Sequence, residues 1–393
     1  MFENLTAAPP DKILHLSVLF RNDTRPNKMD LGVGVYKDSE GRTVIPRAVR
    51  EAEKRLYETQ TTKTYVGIAG DEGFNRAMTD IVLADTIDRD RVFTCQTAGG
   101  SGALRVIADL LKRSRPDATV WLSDPTWANH APILASAGFR TTSYPYFDAK
   151  TGKVRFEAML ETLKTVPAGD IVLLHGCCHN PTGANLTLEQ WGRIADVLVE
   201  RDLFPFVDLA YQGFGDGLEA DCAPTRLLAS RIPEMAIATS CSKNFAVYRD
   251  RVGAAIFIAR KPDTARIVGS QAQAVTRVLY SMPPDHGAAA VRIVLEDEAL
   301  RADWKQELES MRLRMLSLRQ GLAEALRRQT NSNRFDFIAD HRGMFSRLGL
   351  MPDQVDRLRE EHGIYMVGDS RFNVAGLKED KLEDLAKAIA SVL

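Results

Sequence analysis

Residues 240–253 read SCSKNFAVYRDRVG, a lysine-bearing turn set between two apolar runs, EMAIAT before it and AAIFIA after it. A lysine at the end of a buried strand is costly unless it is paired or chemically occupied. Ser240 and Ser242 flank Lys243, and Arg251 follows eight residues later. Taken as a surface turn, the stretch carries a few ordinary charges. Taken as a site, it sets an amine beside an anion-binding group, and the rest of the chain decides between the two.

Working outward, the segments VFTCQTAGG, TVWLSDP, DIVLLHGC, LFPFVDLAY, EMAIATSCS and VGAAIFIA read as strands, most of them ending in small, polar or turn-forming residues. Between them lie stretches of helical spacing such as TLEQWGRIADVLVERD. This alternation predicts an α/β domain with a mostly parallel sheet. Such sheets bind ligands beyond the carboxyl ends of their strands, which is where the unusual residues fall.

From residue 298 the pattern changes. Leu300, Trp304, Leu308, Met311, Met315, Leu318, Leu322 and Leu326 step by three or four, which predicts one long amphipathic helix. That stripe is core packing. RFDFIADHRGMFSRLGL and HGIYMVGDSRFNVAGL read as strand-turn units and KEDKLEDLAKAIASVL as a closing helix. The expected organisation is an N-terminal arm with part of a small domain (1–44), a large domain (45–297), and a linking helix with a C-terminal small domain (298–393).

The composition excludes several classes. With 393 residues, 51 basic and 52 acidic side chains, the formal net charge is −1, so nothing pulls the chain globally toward nucleic acid or an acidic membrane. Five cysteines fit no secreted framework. The opening MFENLTAAPPDK has acidic and polar residues where a signal peptide needs a basic start and an apolar core. No apolar run reaches membrane-spanning length. The expectation is a cytoplasmic protein.

Four strand ends carry groups with chemistry. Gly99, Gly100, Ser101 and Gly102 make a strand-to-helix turn whose exposed N–H groups suit a phosphate, although glycine turns often bind nothing. Trp127 in DPTWANH is either core or a flat lid over an aromatic ring. Asp124-Pro125 and Asn180-Pro181 are candidates for cis peptides. HGCCHNPTG offers His175, Cys177, Cys178 and His179 to a metal, but adjacent cysteines lack the usual spacing for one tetrahedral ion. A buried strand end followed by an Asn-Pro turn is the better reading, and no metal is expected. In VDLAYQGFG, Asp208 either caps the next helix or pairs with a protonated ring nitrogen, and Tyr211 lies three residues on.

Together these groups specify pyridoxal phosphate: Lys243 for imine formation, Asp208 for a pyridinium nitrogen, Ser240, Arg251 and the glycine turn for a phosphate, and Trp127 for the ring face. The chain resembles the aspartate and aromatic amino-acid aminotransferase family over its full length. The motifs that carry the resemblance are LGVGVYKD, TTKTYVGIAG, GGSGALR, HGCCHNPTG, DLAYQGFG, SCSKNF with RVG, YSMPPDHGA and SRFNVAG.

The resemblance implies fold type I, with a mostly parallel seven-stranded sheet in the large domain and a smaller α+β domain. It implies that Lys243 forms the Schiff base, that Asp208 contacts the pyridine nitrogen and that Asn180 and Tyr211 bond the ring hydroxyl. Trp127 would stack on the ring, and Gly100, Ser101, Ser240 and Arg251 would serve the phosphate. Arg371 would take the substrate α-carboxylate, with Gly34, Trp127 and Asn180 near the substrate. Tyr65 and Arg277 would enter from the partner subunit of a homodimer with shared sites.

The implied reaction is ping-pong transamination between amino acids and 2-oxo acids. Arg277 suits a dicarboxylate, whereas Leu279, Met282, Ser101, NPTGANLT and IYMVGDSR are similar to bacterial aromatic and tyrosine aminotransferases. The expected donors are tyrosine, phenylalanine or aspartate with 2-oxoglutarate; the alternative is a dedicated aspartate aminotransferase. Two positions depart from the family pattern, Ala246 in place of glycine after KNF and Ala128 in place of proline after Trp127.

Overall fold

The computed structural model describes residues 2–7 and 11–393. Its centre is a seven-stranded sheet in the spatial order Val92–Ala98, Val252–Ile258, Met235–Ser240, Phe204–Leu209, Ile171–His175, Thr119–Asp124 and Arg140–Pro145. All pairings are parallel except those made by Val252–Ile258, which runs antiparallel to both neighbours.

The central strands are buried on both faces, which is why they read as continuous apolar runs. Ile171 and Leu173 enter one core with Phe206, Ala236 and Phe257, while Val172 and Leu174 enter another with Val207, Ile237 and Ile256. The strand Arg140–Pro145 is different. Four of its six residues are exposed, so it carries no apolar run and the sequence reading passed over it.

A separate core gathers Leu31 from the N-terminal segment with Phe335, Leu348, Ile364, Phe372, Leu385 and Ile389. Met29–Asp30 pairs in parallel with Ile364–Tyr365, and Phe345–Arg347 pairs antiparallel with Arg371–Asn373. One strand-turn expectation is corrected here. Phe337–Asp340 is a short helical turn, because Phe335, Phe337 and Ile338 all go inward and the alternation a strand needs is lost.

The helix Glu298–Thr330 ties the cores together. Its Leu300, Trp304, Leu308, Met311 and Met315 pack in the large core, and its Leu318, Leu322 and Leu326 in the other. Trp304 also reaches the turn that follows Lys243. Its ring stacks on Phe245 at 4.3 Å with 6° between planes, and its Nε1–H donates to the Asn244 carbonyl at 2.7 Å. Among the described residues, no helix is long and apolar enough to cross a membrane.

Trp304→Phe should keep the stack but strand the Asn244 carbonyl, at a cost of about 1–3 kcal/mol. Trp304→Ala should lose the packing as well, at about 3–5 kcal/mol. Equilibrium urea unfolding of both variants measures this; a Trp304→Phe midpoint equal to the parent's would show that the hydrogen bond contributes nothing.

Candidate active site

The parallel strands all end at one edge of the sheet. Because Val252–Ile258 runs the other way, it begins at that edge, with Gly253 opposite Ser240. The turn that leaves Ser240 with Lys243 therefore brings Arg251 back to the same place. A cavity of about 180 Å³ opens there. Gly100, Ser101 and Trp127 line it from one side, Asn180, Asp208 and Tyr211 from another, and Ser240, Lys243 and Arg251 from the third.

The Lys243 amine is largely buried, and no salt bridge holds it among the described residues. It lies 5.6 Å from the centre of the Tyr211 ring and 6.0 Å from that of Tyr248. Burial, helped by the charges of Arg251 and Arg371 and opposed by Asp208, pushes it down to about 8. The turn is strained two residues beyond Asn244: Ala246 has φ +53°, a left-handed conformation that glycine adopts without cost. The departure at 246 thus acts through the backbone, because the extra methyl group is what makes that conformation costly.

Burial works to raise the Asp208 carboxyl, but the hydrogen bond from His130, with Lys243 nearby, outweighs it and holds the group below its ordinary range. His130 is the residue the sequence reading missed. It follows Trp127 by three positions in DPTWANH, and its Nε2 lies 2.9 Å from Asp208 Oδ2.

The polarity of this contact follows from its neighbours. The Asn180 backbone N–H donates to His175 Nδ1 at 3.2 Å, so the His175 proton sits on Nε2 and points to Thr126 Oγ1 at 3.4 Å. The Thr126 hydroxyl then donates to His130 Nδ1 at 2.7 Å, and His130 Nε2–H donates to Asp208. Burial keeps His175 neutral, with its pKa down at about 3.

An anion site lies beside Lys243. The helix Gly99–Ser114 starts without a side-chain cap, so its first N–H groups are left for a ligand. Gly99 has φ +70°, and a methyl group there would meet Arg251 Nη2 at 2.5 Å. Arg251 donates to Ser242 Oγ at 3.3 Å and to the Tyr248 carbonyl at 3.1 Å. Asn180 Nδ2 reaches the Tyr211 hydroxyl at 3.4 Å, while its Oδ1 is buried without a partner.

Four expected site residues lie outside the cavity lining. Arg371 is buried nearby, donating to the Gly32 carbonyl at 2.9 Å, and its Nε is unpartnered. Gly34 lies in the adjacent segment, which Asn373 Nδ2 holds through the carbonyls of Val33 and Val35 at 2.7 and 2.8 Å. Tyr65 is 83% exposed, and Arg277 stands exposed in the last turn of Pro262–Leu279. Both expected cis bonds, Asp124-Pro125 and Asn180-Pro181, are cis.

Of the four residues that invited a metal, the structure brings Cys177 and Cys178 together with Asp221, their donor atoms within 4.8 Å of one another. The Asp221 carboxylate already accepts three backbone N–H bonds at 2.8 to 2.9 Å. Cys177 is raised by its contact with Cys178 and by burial, and Cys178 by burial, so both sulfurs stay protonated. His175 and His179 are engaged elsewhere, His179 with Ser123 and Thr182.

A buried strand-end amine, an ionised carboxylate across the same cavity and an open helix N-terminus beside an arginine define an enzyme site for amine chemistry on an anionic aldehyde. Residues 26–389 match the family of class I and II aminotransferases. The chain is 52% identical to an aromatic-amino-acid aminotransferase of Paracoccus denitrificans and 46% identical to an aspartate aminotransferase of Escherichia coli strain K12, each alignment covering both chains completely. It superimposes with a TM-score of 0.97 and 45% identity on the aromatic-amino-acid aminotransferase of Burkholderia pseudomallei, solved covalently bound to pyridoxal phosphate, over 100% of this chain and 99% of that one. The chain belongs to the class I and II aminotransferase family. It is an aminotransferase, a pyridoxal-phosphate enzyme whose substrates are amino acids and oxo acids.

In the cofactor-free protein, Lys243 should react with an aldehyde reagent and cyanoborohydride with a midpoint near pH 8, below the ordinary lysine value of about 10.4. The neutral amine is the nucleophile, so labelling rises with pH. Arg251→Gln removes a repelling charge and should move the midpoint upward. Peptide mapping of label against pH checks both, and a midpoint near 10 in the parent would contradict the burial argument.

Proposed function

We propose that Lys243 is the residue that carries pyridoxal phosphate and that the chain transaminates aromatic and dicarboxylic amino acids with 2-oxoglutarate. The observation that carries this reading is the buried, depressed amine of Lys243 facing the ionised Asp208 across one cavity. The residues fit the cofactor: Asn180 Oδ1 is orphaned, and the N-terminus of Gly99–Ser114 lies uncapped beside Arg251.

When bound, the cofactor supplies an aldehyde for an amine and a ring that spreads negative charge from the α-carbon. Asp208 would keep the proton on the ring nitrogen, and the hydrogen bond from His130, at the end of the His175–Thr126 relay, helps keep Asp208 ionised. Asn180 and Tyr211 would bond the ring hydroxyl, and Trp127 would cover the ring face. Gly100, Ser101, Ser240 and Arg251 would hold the phosphate. As a free amine, Lys243 would be placed to take the proton from the substrate α-carbon and, once protonated, to act as the general acid. Arg371 fixes the α-carboxylate next to Gly34, with Trp127 and Asn180 lining the substrate side.

Tyr65 and Arg277 complete the site from the second copy of a homodimer, a reading supported by their exposure in the single chain. Arg277 receives a distal carboxylate, and the apolar Leu279 and Met282 lie close by in sequence for an aromatic ring. A dedicated aspartate aminotransferase is the second reading, favoured by Arg277 and by the Escherichia coli relative. Five unpaired cysteines support a cytoplasmic location.

Arg277→Leu should damage aspartate turnover far more than phenylalanine turnover. A dicarboxylate that loses its partner in a closed site forfeits about 2–5 kcal/mol, a loss of about 30-fold to several thousand-fold in kcat/KM. Arg371→Leu should damage every substrate. Half-reaction kinetics on both variants decide the matter: equal losses in Arg277→Leu exclude dual specificity, and a parent inert toward phenylalanine selects the aspartate enzyme.

Shared sites make a further demand. Lys243→Ala and Tyr65→Ala chains, each inactive alone, should regain one working site per heterodimer when mixed. Lys243→Ala and Arg371→Ala chains should recover none, because both residues serve their own chain's site and each site of the heterodimer then lacks one of them. Recovery in the first mixture and none in the second, with heterodimers demonstrated, establishes the sharing.

A further inference from the structure

Arg319 lies on the helix Glu298–Thr330, fully buried, and no carboxylate pairs with it among the described residues. A buried charge needs hydrogen bonds to survive there. Its guanidinium donates to the carbonyls of Gly343 and Phe345 at 2.7 Å, to those of Ile338 and Arg342 at 3.3 Å, and to Ser346 Oγ at 2.7 Å. Ser346 is oriented in turn. His341 Nε2 donates to the Gly152 carbonyl at 2.8 Å, so its Nδ1 accepts from the Ser346 hydroxyl at 3.1 Å. One side chain thereby gathers the whole segment 338–346.

Phe345 is what that segment presents to the site. The Arg371 guanidinium lies 4.3 Å from the centre of its ring. The Tyr211 ring meets it edge-on at 6.1 Å. A methyl group on Gly34 would come within 2.7 Å of its Cζ. The Phe345 carbonyl would clash at 2.3 Å with a methyl group on Gly183, in the turn that follows Asn180. Arg371 has little else to fix its plane: the Gly32 carbonyl takes one N–H, and Nε has no partner.

We infer that Phe345 is a positioning residue for Arg371, and that Arg319 acts through it, so that these two side chains set how strongly an α-carboxylate is held. The inference rests on the reading of Arg371 as the carboxylate-binding arginine. A guanidinium binds a carboxylate well only when its fork is presented in plane, and stacking on an aromatic face fixes that plane. Leucine at 345 fills much of the space but has no ring face for the cation.

The test uses the holoenzyme and 3-phenylpropionate, which has a carboxylate but no amino group to react. Phe345→Leu should weaken its binding about tenfold, equivalent to about 1.4 kcal/mol. The same variant should raise KM for aspartate and phenylalanine alike while kcat stays within about twofold. Arg319→Lys cannot span the five acceptors and should shift binding in the same direction. The double variant should be no weaker than Phe345→Leu alone, because both changes act on one contact.

Unchanged 3-phenylpropionate binding in Phe345→Leu, with binding lost in Arg371→Leu, overturns the inference. Additive losses in the double variant overturn the part assigned to Arg319. Unchanged binding in Arg371→Leu overturns the underlying reading of Arg371 instead. Should Arg319→Lys fail to fold, Phe345→Leu still decides the first question.

Discussion

The hydrogen bond from His130 Nε2 to Asp208 Oδ2, 2.9 Å long inside a largely buried pocket, sets the charge of the site. Without it, burial would favour the protonated carboxyl, and there would be nothing to hold a proton on a ring nitrogen. The bond has a direction because the Asn180 backbone N–H, three hydrogen bonds behind His130, can only donate. Asn180 therefore has two jobs on opposite sides of one residue. Its main chain orients the relay and its side chain faces the cavity.

Around that carboxylate the balance of charge is positive. Arg251 and Arg371 both repel the charge on Lys243, and Asp208 opposes them. Such a site attracts anions and presses the amine toward its neutral form at the same time. Burial does most to lower the lysine, but Arg251 serves both effects, so binding a phosphate and activating the lysine are not wholly separate tasks of the fold. A phosphate at the helix N-terminus would relieve part of the repulsion that Arg251 exerts.

Much of this was legible in the sequence. The central strands show as apolar runs because both faces are buried, and the chemistry falls at their ends because a parallel sheet has one ligand-binding edge. The long helix shows because one stripe serves both cores. What escaped depends on contacts between distant positions. His130 and Asp208 are 78 residues apart, and nothing local marks the histidine as a partner. Arg319 sits inside a Leu and Met stripe, where an arginine reads as one more solvent-facing position. Phe337–Asp340 misled because its apolar residues lack a period, and Arg140–Pro145 because an exposed edge strand has no apolar signature. The strain at Ala246 is a dihedral angle, which the residue type alone does not reveal.

The antiparallel strand Val252–Ile258 also limits how the chain can change length. Successive side chains of a strand alternate between faces, so a one-residue slip would turn every one of them over. With Gly253 locked opposite Ser240, the excursion that carries Lys243 has both of its ends fixed. A methyl group at Gly253 would come within 2.6 Å of both the Gly99 backbone and the Thr239 carbonyl, so the strand has no slack sideways either. An insertion or deletion between 241 and 251 would leave the two strands in register and fall on the excursion itself, where it would shift Lys243 relative to Arg251. The sheet thus fixes where the excursion leaves and where it returns, and the spacing of eight residues between Lys243 and Arg251 lies wholly inside those two points.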